Sequence, residues 1–318
     1  MTLRWLRVDA LRDSLSAWAE EARRDLPWRR TRDPWAVLVS EAMLQQTQVA
    51  RVVPRFEAFL ERFPTPAATA AAPAADVLRE WAGLGYNRRA LNLHRAAVAV
   101  VERHGGVLPS TLDELVALPG VGPYTARAVL AFAFEADVGV VEVNSARVLA
   151  RAAAGRPLRA GEAQALADAL VPAGGGWAWN QAMLDLGATV CTKSAPRCDA
   201  CPLLGCCAWA GAGGADPAVG SAGEGTRQST FAGSDRQGRG RLVDAMRLGP
   251  VPWAGVAAAA GWPDDPARAE RVVAGLVADG LAVVAGDTFC LPWHRFFVGS
   301  GTSEVPQPTK NPSPCDRT

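Results

Sequence analysis

The chain has 318 residues, with 33 Lys and Arg against 32 Asp and Glu, and 49% of it is apolar. That length supports two domains with their own cores, and the composition excludes a disordered chain, a collagen-like repeat and a small disulfide-stapled scaffold. A net charge of +1 counts against a polyanionic partner. The N-terminal segment MTLRWLRVDALRDSLSAWAEE is charged throughout, which does not read as a signal peptide, and no apolar run approaches a bilayer span, so a soluble, cytoplasmic protein is expected. Residues 1–208 read as almost wholly helical. Leu11, Leu15 and Trp18 form a stripe at helical spacing, and further helices are expected over Trp35 to Gln48, Val52 to Phe63 and Leu91 to His104. Pro34 stands at a helix start behind Asp33 as a cap. A short helix from Leu112 to Leu118 is broken by Pro119-Gly120, and Thr125 to Phe134, Asn144 to Ala154, Ala160 to Leu170 and Asn180 to Leu186 follow. No sustained alternation marks a strand, so this region is expected to be an all-α domain.

Residues 209–232, rich in Gly, Ala and Ser without periodicity, read as a flexible linker. Residues 233–297 then give Arg241 to Leu248, Trp253 to Ala260 and Pro266 to Asp279 as three short helices. Leu281 to Val284 and Thr288 to Leu291, joined by Ala-Gly-Asp, read as a hairpin. Three helices followed by a hairpin is the order of a winged helix. Arg236, Arg239 and Arg241 at its entry could meet phosphates, or the module could brace the rest of the chain; the sequence leaves both open. Residues 298–318, with four prolines, read as a disordered tail.

Four cysteines fall as Cys191-x6-Cys198-x2-Cys201-x5-Cys207. Clustered thiols in a cytosolic chain point to metal rather than disulfides, either zinc or a cubane iron–sulfur cluster. Cys206 leaves an x4 reading open beside the x5 one. Upstream, Leu118-Pro-Gly-Val-Gly-Pro-Tyr124 joins two helices. Glycines let backbone approach a ligand and a helix start favours an anion, so Gly120, Val121 and Gly122 could grip a phosphate or form an ordinary helix–helix turn. Glu41 stands on an otherwise apolar helix. A buried carboxylate there would have the raised pKa that a general acid needs; a solvated one would not.

These residues together carry a resemblance. The cysteine spacing and the glycine hairpin resemble the endonuclease III superfamily of DNA glycosylases, whose fold is helix-hairpin-helix and whose cysteine loop holds a [4Fe–4S] cluster. Leu26-Pro-Trp-Arg29, Ser40-Glu-Ala-Met-Leu-Gln-Gln-Thr-Gln48, Gly83-Leu-Gly-Tyr86 and Asn92-Leu-His94 resemble MutY-type adenine DNA glycosylases over nearly all of residues 10–208. The resemblance implies a mainly α, two-module glycosylase domain with an iron–sulfur loop at 191–207, followed by a small winged-helix-like domain. The family spacing favours Cys191, Cys198, Cys201 and Cys207 as ligands.

The activity implied is base excision repair, removing adenine mispaired with 8-oxoguanine or guanine from double-stranded DNA by a monomeric enzyme. By the same resemblance, Glu41 is the acid that helps the base depart. Gln45 and Tyr86 wedge into the base stack with Gln46 beside them, and Trp28, Arg29 and Gln181 line the adenine pocket. His94 is read as structural. In the family an aspartate stands two residues before the asparagine matched by Asn144; here Glu142 stands there, keeping the charge on a longer side chain. The position after Tyr86, often aromatic in the family, is Asn87. Tyr124 occupies the place of the lysine through which bifunctional relatives form a Schiff base, which implies a monofunctional enzyme. Long members end in a Nudix-like domain that reads the opposite base, for which residues 234–297 are too few. A glycosylase for a thymine- or uracil-type mispaired base, or a catalytically weak mismatch-binding protein, are the competing readings.

Overall fold

Asp33 Oδ1 accepts from the Trp35 amide at 3.0 Å, and Pro34 opens the helix where its missing N–H is not needed, so the expected start is realised. The computed structural model describes residues 2–224 and 230–293, with side chains from Arg7 onward. Among them the helices are α1 (Thr2–Ala22), α2 (Pro34–Leu44), α3 (Val49–Arg62), α4 (Pro66–Ala71), α5 (Ala74–Glu80), α6 (Arg88–His104), α7 (Leu112–Val116) and α8 (Pro123–Ala133). They continue as α9 (Val143–Val148), α10 (Ala160–Leu170), α11 (Gly176–Thr189), α12 (Ala208–Ala212), α13 (Asp235–Leu248), α14 (Val256–Ala260) and α15 (Pro266–Ala278). The helix expected from Asn144 to Ala154 is α only to Val148 and widens into a π-helical turn over Leu149–Ala154. None of the helices is long and apolar enough to cross a membrane.

The chain forms two compact units. The first comprises Met1–Leu38, Ser110–Val116 and Val121–Arg227. Its core gathers Leu11 and Leu15 of α1, Val148 and Leu149, Leu170, and Trp179 and Leu186 of α11. The stretch expected to be a flexible linker is packed on this unit over residues 216–222. Asp216 pairs with Arg151 at 2.5 Å, and the buried Ser221 hydroxyl accepts from the Leu158 amide at 3.0 Å. Small residues let the chain lie close, and a buried partner rather than composition decides its order.

The second unit comprises, among the described residues, Val39–Pro109, Ala117–Gly120 and residues 230–293. Phe59 meets Trp81 edge-on at 6.1 Å, and α4 packs along α6. His94 on α6 is fully buried, with Nε2 2.9 Å from the carbonyl of Ala72 at the end of α4. Within this unit α13 to α15 are followed by a hairpin of β2 (Val283–Ala285) and β3 (Thr288–Cys290). β1 (Val251–Pro252), not expected from the sequence, adds to the far side of β3, giving the order β1-β3-β2, antiparallel throughout with Phe289 opposite both Val251 and Val284. Leu242, Met246, Val256, Val273, Leu276 and Phe289 are its buried centre. This is the helix and strand order of a winged helix. The expected tail over 298–318 lies outside the described residues.

Candidate active site

In the second unit, Glu41 is 5% exposed on α2, flanked by the buried Ser40, Ala42 and Met43. The burial expected of a general acid is present. Where α2 ends, the backbone turns sharply and Gln46 takes a left-handed φ of +56°. A second sharp turn lies at Gly83, Gly85 and Tyr86, with φ of +83°, +70° and +46°; only Tyr86 there has a Cβ to strain, and the residue is 45% exposed. One side chain joins the two turns. Arg89, on α6, donates to the carbonyls of Ala42 (2.8 Å), Met43 (2.8 Å) and Gln45 (2.6 Å), and to those of Leu84 (3.1 Å) and Gly85 (3.0 Å). Burial pulls its guanidinium down to about 10, which leaves it charged at neutral pH. Arg89 therefore fixes the Gln45 and Tyr86 segments against one another. Next to another arginine in the sequence, it resembles an ordinary surface charge, so only the fold reveals it.

In the first unit, Glu142 is the N-cap of α9. Its Oε1 accepts from the amides of Asn144 (2.7 Å) and Ser145 (3.0 Å), and its Oε2 from Asn144 Nδ2 (3.2 Å). Ser145 Oγ reciprocates by accepting from the Glu142 amide at 2.9 Å, completing a capping box. The extra methylene of the glutamate is taken up by folding the carboxylate back over its own helix. Asn144 Oδ1 accepts from Arg147 Nη2 at 2.8 Å, and Arg147 also donates to the carbonyls of Gly187 (2.7 Å) and Cys191 (2.7 Å). α9 lies so close to α11 that a Cβ at Gly187 would sit 2.7 Å from Asn144 Cβ. Tyr124 is half-buried in the first turn of α8. Trp28 is buried in a short 3₁₀ turn, Pro27–Arg29.

The Arg29 guanidinium is engaged by a residue the sequence reading passed over. Asp185, fully buried, lies one turn beyond Gln181 on α11 and accepts from Arg29 Nη1 (2.6 Å) and Nη2 (2.8 Å) as well as from Arg24 Nε (2.6 Å). Burial alone would raise the Asp185 carboxyl, but the Arg29 and Arg24 guanidiniums hold it below the usual carboxylate range. Arg29 Nε is buried without a hydrogen-bond partner among the described residues. A carboxylate inside the apolar run Met183-Leu-Asp-Leu186 is the signal that could have found Asp185, as it found Glu41.

Pro119 and Gly120 separate α7 from α8. Gly120 has φ +76°, and a Cβ there would fall 2.5 Å from Asn92 Cβ, so no other residue fits. Gly122 caps α8 and Pro123 opens it. Further along, Cys191, Cys198, Cys201 and Cys207 line one cavity with Leu186, Val190 and Leu203, and Cys206 is not among the lining residues. Burial pushes the Cys201 thiol up to about 11, and Cys191, Cys207 and Cys198 lie near enough to push it the same way. Cys206 Sγ turns instead to the Leu203 carbonyl at 3.5 Å. No three His, Cys, Asp or Glu among the described residues converge tightly enough for a single metal ion. Four thiols lining one cavity are the donor set an iron–sulfur cubane takes, so the residue types present fit that group.

Residues 39–172 match the HhH-GPD superfamily of base excision DNA repair proteins. The chain is 44% identical to the adenine DNA glycosylase of Mycolicibacterium smegmatis over 277 residues, covering 86% of this chain and 92% of that protein. It is 42% identical over 214 residues to the human adenine DNA glycosylase, covering 63% of this chain and 39% of that protein. Among solved structures it is similar to a thermostable thymine-DNA glycosylase, with a TM-score of 0.60 at 27% identity over 65% of this chain and 97% of the other. It is also similar to endonuclease III trapped on DNA, with a TM-score of 0.52 at 25% identity over 61% of this chain and 91% of the other. Near-full-length identity to the mycobacterial enzyme, on a helix-hairpin-helix fold with a buried Glu41, places the chain: it belongs to the adenine DNA glycosylase family.

Proposed function

We propose that this protein is a monofunctional DNA glycosylase that removes adenine mispaired with 8-oxoguanine or guanine in double-stranded DNA. The burial of Glu41 on an apolar helix, inside the segment resembling the family, carries the reading. The base must first leave the duplex, at a cost of a few kcal/mol, with Gln45 and Tyr86 filling the stack beside it and Gln46 adjoining. Trp28 walls the pocket, and Arg29 and Gln181 offer polar contacts to the flipped base. Glu41 donates its proton as the glycosidic bond breaks, and the bonding electron pair leaves with the base. The sugar passes through an oxocarbenium-like state faced by the Glu142 carboxylate, which Asn144 and Ser145 hold in place. Water then adds to the sugar carbon and loses a proton, giving an abasic site. Tyr124 offers no amine, so no Schiff base forms and the strand is left intact. Gly120, Val121 and Gly122 bring backbone up to a phosphate. Cys191, Cys198, Cys201 and Cys207 would hold a [4Fe–4S] cluster, whose contribution is to cross-link its loop.

Single-turnover excision from duplexes carrying A, T or U opposite G or 8-oxoguanine tests the reading. Excision of A alone is expected, and Glu41→Gln should lose about 10²–10⁴-fold in rate while still binding DNA. Full activity in Glu41→Gln overturns the acid role. Excision of T or U but not A would assign a different base, and no product from any duplex with iron-loaded protein would leave a mismatch binder.

A further inference from the structure

A winged helix that reads DNA places its recognition helix, here α15, and its hairpin against the duplex. The exposed face of α15 presents Ala267, Glu270, Arg271, Ala274 and Ala278, and the hairpin tip is Gly286-Asp287. Between Ser234 and Trp293 there are six arginines against seven acidic residues. Within this stretch Arg239 pairs with Asp279, Arg268 with Asp235 and Arg247 with Asp244, and Arg271 donates to the Ala267 carbonyl at 3.2 Å. This is not a surface that draws phosphates.

Arg247 has a further role. In the last turn of α13 and only 9% exposed, it donates from Nε to the Leu78 carbonyl (2.9 Å) on α5 and from Nη2 to Asn87 Oδ1 (2.8 Å). Asn87 is the N-cap of α6, a position where an asparagine ordinarily accepts from its own helix, yet its side chain makes no such bond. It also directly follows Tyr86, whose left-handed backbone persists only where the surroundings hold it. Arg89 holds this turn from one side; Arg247 grips its end from the other. Two more ties fix the module: the Ala75 amide donates to the Pro292 carbonyl at 2.9 Å, and Arg88 lies 3.4 Å from Asp279.

We propose that the C-terminal module is a positioning element for the 83–87 turn, acting through the Arg247–Asn87 bond to set Tyr86 for insertion into DNA. This rests on the reading of Tyr86 as the wedge. The test compares full-length, iron-loaded wild type with Arg247→Ala, Asn87→Ala and the double variant. Hydrogen exchange of the 83–87 amides is measured without DNA, and single-turnover excision of A opposite 8-oxoguanine with it. Each single variant is expected to speed exchange and slow excision by about tenfold, the range of one charge-assisted hydrogen bond, with no further change in the double variant. Arg247→Lys, which cannot reach both acceptors with a fork, should not rescue. Unchanged exchange in Asn87→Ala overturns the clasp, because an arginine that merely docks the module would not need that acceptor. Faster exchange with excision unchanged in Arg247→Ala and Tyr86→Ala alike overturns the wedge reading and the consequence drawn from it.

Discussion

Glu142 shows how a one-methylene departure from the family pattern can be absorbed. The carboxylate is pinned by two backbone amides and one side-chain amide, so its position is set by the start of α9 rather than by its own rotamers. Glu142→Gln keeps an oxygen for the cap but removes the negative charge that the proposed mechanism sets against the sugar cation. We expect it to lose about 10²–10³-fold in single-turnover excision. Its thermal midpoint should fall only slightly, since most of a cap worth about 1 kcal/mol survives. Wild-type excision by this variant would show that the charge is not used. The sequence offers Glu142 and Asn144 as a pair only through the resemblance, in which an acidic residue stands two places before the asparagine. It gives no hint that Arg147 completes the network, although i,i+3 spacing from Asn144 is what places them on one face.

Among the elements, legibility followed contrast between apolar and polar positions. α2, α6, α8 and α11 carry Val, Leu, Phe or Trp at helical spacing, and their expected spans overlap the observed ones. α4 (PAATAA) and α5 (AADVLRE) were not foreseen, because alanine runs have no face to read. What orders α4 is a Thr65 cap, accepting from the Ala68 amide at 3.1 Å, and the His94 contact at its other end. Burial lowers the His94 pKa from 6.5. The unfolded chain therefore binds a proton at a pH where the folded one does not, and stability falls as pH drops below about 6.5, levelling off once the lowered folded value is passed. His94→Gln, which keeps an N–H donor and cannot titrate, should flatten the fall in thermal midpoint between about pH 7 and 5. An equal slope in both proteins would remove His94 from this role.

Across the whole molecule, bulk charge was the least informative quantity. Up to residue 210 the chain has 23 basic and 21 acidic residues, and many are spent on one another, as in the Arg24, Arg29 and Asp185 triad. The features read as meeting DNA are backbone turns and a few placed side chains, which net charge does not register. The cysteine loop shows the same economy, since segments far apart in sequence converge on it. Arg7 of α1 donates to the Cys206 and Ala152 carbonyls, and Arg151 approaches Cys191 Sγ at 3.5 Å while pairing with Asp216. A cluster bound there would cross-link four points of a loop that α1, the 149–154 turn and the 216–222 segment all lean on. Cys207→Ala is expected to lose iron and lower the thermal midpoint of the protein, whereas Cys206→Ala should retain wild-type iron, because only Cys207 faces the cavity shared by Cys191, Cys198 and Cys201. Iron content of the two purified variants decides it: loss in Cys206→Ala with retention in Cys207→Ala would exchange the two assignments. Full iron in both would show that neither thiol is needed to hold the cluster.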